Sequence, residues 1–75
     1  MARLPQVTGK RLIQALETLR WFVHHQKGSH VVLKHPDRPD RRIVIPCHPK
    51  PLKKGTLSAI LRDAGLTADQ LRKLL

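Results

Sequence analysis

The side chains best suited to chemistry lie in the middle of the chain, and His30 is the most distinctive of them. It follows Gly28 and Ser29 directly, and Lys27 and Lys34 lie within four residues of it. An imidazole has an ordinary pKa of about 6.5, so it accepts and donates protons at neutral pH. Lysine and arginine can stabilise the charge that develops on a phosphate under attack. The combination suits acid–base chemistry on RNA or RNA binding; a polar residue on a solvated surface is the alternative.

The other histidines do not form a pattern typical of a metal site. His24 and His25 are adjacent, and successive residues of a strand point to opposite faces, so we expect that they cannot bind one metal ion together. His48 follows Cys47, but no second pair lies at metal-site spacing. Cys47, as the one cysteine, is expected to act as a small buried hydrophobic residue.

Two further polar segments have a structural and a functional interpretation. Asp37 and Asp40 lie in a proline-bracketed segment, and we expect them to cap a turn rather than to bind a metal ion. Lys53 and Lys54 precede a predicted helix, where lysines oppose the helix dipole but favour a bound anion. A solvated connector is the alternative for this second segment.

The chain is short and strongly basic. Its 75 residues include 15 Lys and Arg against 5 Asp and Glu, which gives a formal net charge of +10. Residues 27–56 hold eight basic and two acidic side chains, and hence +6 of that charge. Such an excess predicts a polyanionic partner, most simply a nucleic acid. The two aromatic residues, Trp21 and Phe22, are too few for a base-stacking platform, and we expect both in the core.

Composition excludes several other classes of protein. A single cysteine cannot form a disulfide within the chain. No apolar run approaches the ~18 residues of a membrane-spanning helix, and the first residues lack the apolar segment of a signal peptide. We therefore expect a cytoplasmic protein with no membrane association, forming one small domain over residues 1–75.

Hydrophobic periodicity and turn residues predict the element order α-β-β-β-α-α. Thr8 is the predicted N-cap of a first helix that ends near Arg20, and Thr56 is the predicted N-cap of a second helix that Gly65 ends. Thr67 begins the last helix with a capping box. The predicted strands cover residues 21–26, 30–34 and 41–45, with a loop over 36–40. Because a sheet must bury its apolar face against another layer, this order predicts an α+β fold, with a three-stranded antiparallel sheet and helices on one face.

Strand alternation predicts which side chains face the helices. The more apolar set should pack against them, namely Val31, Leu33, Ile43 and Ile45. His30, Lys34 and Arg42 would then lie together on the opposite face of the sheet. A one-residue change of register would reverse these faces.

The sequence as a whole resembles the HicA family of toxins. The resemblance rests on Gln26-Lys27-Gly28-Ser29-His30, on His35-Pro36-Asp37, on Ile43-Val44-Ile45-Pro46 with His48, and on Leu52-Lys53-Lys54-Gly55-Thr56-Leu57 followed by Ile60 to Thr67. It spans about residues 8–75, so residues 1–7 are expected to form a flexible or extended arm. One departure is Arg20, since a glycine commonly precedes the aromatic residue in this family.

The resemblance implies a fold similar to a double-stranded-RNA-binding domain and a specific activity. HicA toxins cleave mRNA independently of the ribosome, and a HicB antitoxin masks their active site and represses the operon with them. The family's catalytic histidine matches His30, beside Gly28 and Ser29. His48 matches a common family position to which no catalytic role is transferred.

The resulting hypothesis is a metal-independent endoribonuclease without a cofactor, in which His30 is the general base or acid. We expect RNA to contact Lys27, Gly28, Ser29, Lys34, Arg42, His48, Lys53 and Lys54. The expected partners are mRNA and a HicB-type antitoxin, with operator DNA reached only through the antitoxin.

Two other functions remain open from the sequence. The first is a non-catalytic RNA-binding domain, which would bind RNA without cleaving it. The second and weaker one is a DNA-binding regulator built on the last two helices, which offer Arg62, Arg72 and Lys73.

Overall fold

A computed structural model describes residues 4–75, which form three helices and one three-stranded sheet. The elements in chain order are α1 (Gly9–Glu17), β1 (Phe22–Lys27), β2 (His30–His35), β3 (Arg38–Pro46), α2 (Lys54–Ala64) and α3 (Ala68–Leu74). The strands are antiparallel in the order β1-β2-β3, so β2 is central and the other two are edges. The predicted α+β class and element order are confirmed.

One core joins the helices to a single face of the sheet. The sheet contributes the four residues that the alternation predicted, each at most 4% exposed: Val31, Leu33, Ile43 and Ile45. The helices contribute mainly leucines, namely Leu12, Leu16, Leu57, Leu61 and Leu71, together with Ile60. Burial of these apolar surfaces is the main stabilising contribution to so small a fold. The predicted assignment of the faces of β2 and β3 is therefore confirmed.

The opposite face of the sheet, here called the open face, is not covered by any helix of the described residues. Because directly paired residues share a face, the strand registers place nine side chains on it: Phe22, His25, Lys27, His30, Val32, Lys34, Arg42, Val44 and Pro46. Val32 at the centre is 7% exposed but does not belong to the core cluster. Its neighbours on the open face therefore cover it, and no part of the helical layer does.

A β-bulge at His24 overturns two predictions about β1. The register shifts between Val23 and His25, so Phe22 and His25, three residues apart, both lie on the open face. Phe22 is 44% exposed and is not a core residue, whereas Trp21 is buried as predicted. The prediction that His24 and His25 point to opposite faces is also wrong, since their ring centroids are 5.2 Å apart. Simple alternation fails here because the bulge inserts one extra residue.

The predicted loop over residues 36–40 is in fact a short turn. Only Pro36 and Asp37 separate β2 from β3, which begins at Arg38 and therefore includes Asp40. His35 pairs with Arg38 after a second register shift. The proline inside β3 is tolerated because an edge strand has amide groups that need no partner within the sheet.

The helix boundaries follow most of the predicted caps. Thr8 caps α1, and Thr67 forms the predicted capping box of α3. Gly65, with φ of 72°, ends α2 as expected. The N-cap of α2 is Lys53, however, so the prediction of Thr56 is wrong by three residues. Thr56 instead lies in the first turn, and no side chain caps this helix.

The first helix ends earlier than predicted, at Glu17, and leads into a left-handed residue. Arg20 has φ of 77°, and the backbone amides of Arg20 and Trp21 donate to the carbonyl oxygens of Glu17 and Leu16. These two bonds are those of a Schellman motif, in which glycine is the usual left-handed residue. The departure from the family pattern at Arg20 thus falls where the backbone favours glycine.

The segment before α1 contacts the body of the protein where the structure describes it. Val7 is buried, and its carbonyl oxygen accepts a hydrogen bond of 2.8 Å from the Leu52 amide. The rest of the arm predicted over residues 1–7 includes residues 1–3, which lie outside the described residues. Within residues 4–75, no helix has the length and apolar character needed to cross a membrane.

Candidate active site

A two-residue turn positions His30 at the first residue of the central strand. Gly28 and Ser29 connect β1 to β2, and of these two only Gly28 has a positive φ, of 59°, as a type II′ turn requires. The Gln26 side chain donates to the Gly28 carbonyl oxygen at 3.0 Å, and the Cys47 amide donates to the Ser29 carbonyl oxygen. Gly28 and Ser29 therefore serve the geometry of the turn, which holds His30 at one end of the sheet.

Lys27 is the cation next to His30. The two residues pair directly across β1 and β2, and Pro46 pairs with His30 from the other side. Both His30 and Lys27 are exposed on the open face. A histidine beside a lysine on a solvent-accessible strand can exchange a proton while the ammonium group holds a phosphate oxygen.

Lys34 and Arg42 form a second cationic position at the far end of the open face. They pair directly across β2 and β3, so the structure brings these two predicted residues together. Four residues along β2 separate Lys34 from His30, which corresponds to about 13 Å at the usual rise of a strand. Lys34 and Arg42 are therefore better placed to bind a different phosphate of the same strand than the one at His30.

His48 and Lys53 lie at the His30 end of the sheet. Together with Pro46, the direct partner of His30, they line one shallow groove that leads toward the start of α2. Lys54 lines a separate groove with Lys53 and the segment Leu4–Gln6. The predicted residues thus divide into Lys27, Gly28 and Ser29 beside His30, the groove that His48 and Lys53 share with Pro46, a pair at the far end, and Lys54 to one side.

The cations of the candidate site are available for an anionic ligand. In the described part of the chain, no carboxylate forms an ion pair with the site cations Lys27, Lys34, Arg42, Lys53 or Lys54. The carboxylates that do pair lie elsewhere, as in Arg20 with Asp37 and Arg72 with Asp69, both at 2.9 Å. Within residues 4–75, the positive charge of the open face is therefore not neutralised by ion pairs.

The contacts of His35 give it a structural role and not a catalytic one. Its Nε2 lies 2.9 Å from the Leu19 carbonyl oxygen, and its Nδ1 accepts a hydrogen bond of 3.1 Å from the Asp37 amide. The ring also packs edge-on against Trp21, with centroids 5.1 Å apart. Because both ring nitrogens form hydrogen bonds, His35 connects the end of α1 to the turn between β2 and β3.

The remaining candidate ligands for a metal ion lie apart from one another. Among residues 4–75, no three His, Cys, Asp or Glu side chains are grouped closely enough to hold one. Asp37 pairs with Arg20, whereas Asp40 belongs to β3. Cys47 is a free, half-buried thiol that packs against the core.

Sequence reasoning missed two exposed residues of the open face, Phe22 and His25. Alternation within β1 could not assign them to the same side, because the bulge at His24 changes the phase of the strand. Phe22 adds an aromatic surface beside Lys34, its direct partner. His25 adds a second imidazole to the face that carries His30.

A known protein family matches the part of the chain that contains the candidate site. The model of the family described as HicA toxin of bacterial toxin–antitoxin matches residues 9–66, which is most of the chain. No curated protein matches the chain. The matched range contains the turn, His30 and all three strands. By this match over more than half of its length, the chain belongs to the HicA toxins of bacterial toxin–antitoxin systems.

Proposed function

We propose that this toxin is a metal-independent endoribonuclease that cleaves mRNA without the ribosome. His30 is the general base or general acid of the reaction. The observation that carries the proposal is the exposed His30 beside Lys27, on a face whose cations form no ion pair with a carboxylate of the described residues. Membership of a toxin family supports the same function, since destruction of mRNA would stop translation.

Lys27 is the residue proposed to stabilise the transition state. It is the direct cross-strand partner of His30, so its ammonium group can reach the same phosphate, on which negative charge increases during attack. Lys34 and Arg42 hold a neighbouring phosphate, because they lie about 13 Å along the sheet. His48, Lys53 and Lys54 extend the path of the RNA toward α2, whose N-terminal amide groups favour an anion.

The proposed protein partner is an antitoxin of the HicB type. An acidic surface of that protein would compete with RNA for the cations of the open face. Such binding would mask His30 and neutralise the toxin. Operator DNA would be reached only through the antitoxin.

The test is cleavage of a labelled RNA by the purified protein in the absence of ribosomes. Replacing His30→Ala should reduce the rate by roughly 100-fold or more and abolish growth arrest on expression. The exposed His24 provides a matched control, since His24→Ala removes an imidazole from the same hairpin. Cleavage should continue in EDTA. A fully toxic, folded His30→Ala protein would contradict the assignment, and loss of cleavage in EDTA would remove the metal-independent mechanism.

A non-catalytic RNA-binding domain is the second candidate, and the exposed Phe22 is the observation that favours it. An aromatic ring beside Lys34 can stack on a base while the lysine holds a phosphate. This function predicts salt-dependent binding of RNA without strand scission. The same labelled RNA distinguishes the two candidates, because only the nuclease shortens it.

A further inference from the structure

The open face carries a second imidazole at a fixed distance from His30. His25 pairs with Val32, and Lys27 pairs with His30, so His25 and His30 occupy adjacent rows of the same face. Diagonal neighbours of this kind are typically about 7–8 Å apart at their Cα atoms. The short turn through Gly28 and Ser29 and the hydrogen-bonded hairpin fix this relationship.

Two observations establish on which side of the sheet His25 lies. Its partner Val32 is outside the core cluster, although the flanking residues Val31 and Leu33 belong to it. Gln26, the next residue along β1, lies on the helical side, where it lines a groove with residues of α1. His25 therefore faces away from the helices, and its side chain is exposed there.

Cleavage of RNA through its own 2′-hydroxyl requires two proton transfers. The 2′-oxygen forms a bond to phosphorus as its proton leaves, and the bond from phosphorus to the 5′-oxygen breaks as that oxygen gains a proton. A single imidazole cannot accept the first proton and supply the second within one step. A site with two imidazoles on either side of the phosphate can do both.

Building on the nuclease function proposed above, we propose that His25 is the second proton-transfer residue and works as a pair with His30. One neutral imidazole takes the 2′-hydroxyl proton, and the other, as imidazolium, donates its proton to the 5′-oxygen. The products are a 2′,3′-cyclic phosphate and a 5′-hydroxyl, so atoms and charge balance. Water then restores the two protonation states by proton exchange. Lys27 shares the row of His30 and lies two residues from His25 along β1, and it is the phosphate-binding cation.

The other histidines are less suited to this role. Both ring nitrogens of His35 are engaged in the fold. His48 follows the end of β3, outside the hydrogen-bonded strands that would hold an imidazole in register. His24 is the extra residue of the bulge and has no direct partner on β2.

The experiment compares His25→Ala, His30→Ala, His48→Ala and the matched control His24→Ala in the full chain. Each variant is tested on one RNA and on the same RNA with sulfur in place of the bridging 5′-oxygen at the mapped cleavage site. A thiolate leaves without protonation because thiols are far more acidic than alcohols. The variant that lacks the general acid therefore recovers on the sulfur substrate, and the variant that lacks the general base does not.

We expect His25→Ala to lose roughly 100-fold or more on ordinary RNA, and one of the His25 and His30 variants to recover on the sulfur substrate. His24→Ala removes a ring that packs edge-on against His25 but leaves both proposed proton-transfer groups in place, so it should stay within about threefold of the parent protein. The proposal is overturned if His25→Ala matches His24→Ala, or if both or neither of the His25 and His30 variants recover. If the parent protein cleaves neither substrate, the nuclease function itself fails, which is a distinct result. Unchanged thermal unfolding shows that each variant is folded.

Discussion

Gly9 lies directly against Pro46, so that the first turn of α1 touches the end of β3. A Cβ atom at Gly9 would overlap the Pro46 carbonyl oxygen and come within 3.1 Å of the Cys47 Cα. Both are backbone atoms, which cannot rotate away as a flexible side chain would. Because Pro46 is also the direct partner of His30, this contact supports the end of the sheet where the candidate site lies.

Replacing Gly9→Ala should therefore destabilise the protein. We expect a loss of about 1–3 kcal/mol in the free energy of unfolding, as for overpacking at other buried positions. Gly55→Ala is the matched control, since nothing lies within 4 Å of a Cβ there and α2 would gain up to about 1 kcal/mol in helix propensity. Urea unfolding of both variants gives the comparison. Equal midpoints would show that the helix can move away from Pro46.

The left-handed backbone of Arg20 predicts that glycine and alanine at this position give proteins of different stability. Both Arg20→Gly and Arg20→Ala remove the exposed ion pair with Asp37, so their difference isolates the backbone. We expect the glycine variant to be more stable by about 1 kcal/mol, because glycine adopts positive φ without a steric penalty. Thermal unfolding measures this difference. A more stable alanine variant would contradict the strain assigned to this position.

The neighbouring aromatic residues should differ sharply in their contribution to stability. Trp21→Ala removes a buried side chain from the core and should cost about 3–5 kcal/mol. Phe22→Ala removes a side chain that is 44% exposed on the open face and should cost less, about 1 kcal/mol. Denaturant unfolding of the two single variants tests which of the two side chains faces the core. Similar losses in both would place Phe22 in the core.

The two cationic positions of the open face should affect different steps of RNA cleavage. If Lys27 holds the reacting phosphate as proposed, Lys27→Ala should slow cleavage at saturating RNA by about 100-fold. Lys34→Ala should weaken binding and lower the salt dependence of log affinity by about 0.7, the value for one phosphate contact with a single strand. Its rate at saturation should stay unchanged. The measurement is single-turnover cleavage at several RNA and salt concentrations, and identical profiles for the two variants would contradict the separation.

Much of this fold could be predicted from local sequence. The caps at Thr8 and Thr67 are hydrogen bonds from nearby backbone amides to the threonine side chain, and the cap at Gly65 is a left-handed backbone conformation. Each therefore depends on only a few neighbouring residues. The alternation of β2 and β3 follows from a period of two, which holds wherever a strand is regular. The start of α2 was missed because its first turn has no capping side chain, and Thr56 was the nearest residue of the right type.

The site was less predictable because it depends on the relation between strands. The tripeptide Gly28-Ser29-His30 identifies the turn and the histidine, but no local signal indicates the extra residue at His24. The bulge depends on how β1 pairs with β2, and it determines that His25 shares a face with His30.

The same bulge has a consequence for how the protein behaves at high concentration. β1 is an edge strand, and a bulge twists its row of amide and carbonyl groups away from the flat arrangement that a strand of another molecule needs. The other edge, β3, contains Pro39 and Pro46, which have no amide hydrogen to offer, and three arginines that repel a second copy. Both edges therefore resist intermolecular strand addition, so the toxin can expose an uncovered sheet without polymerising through it.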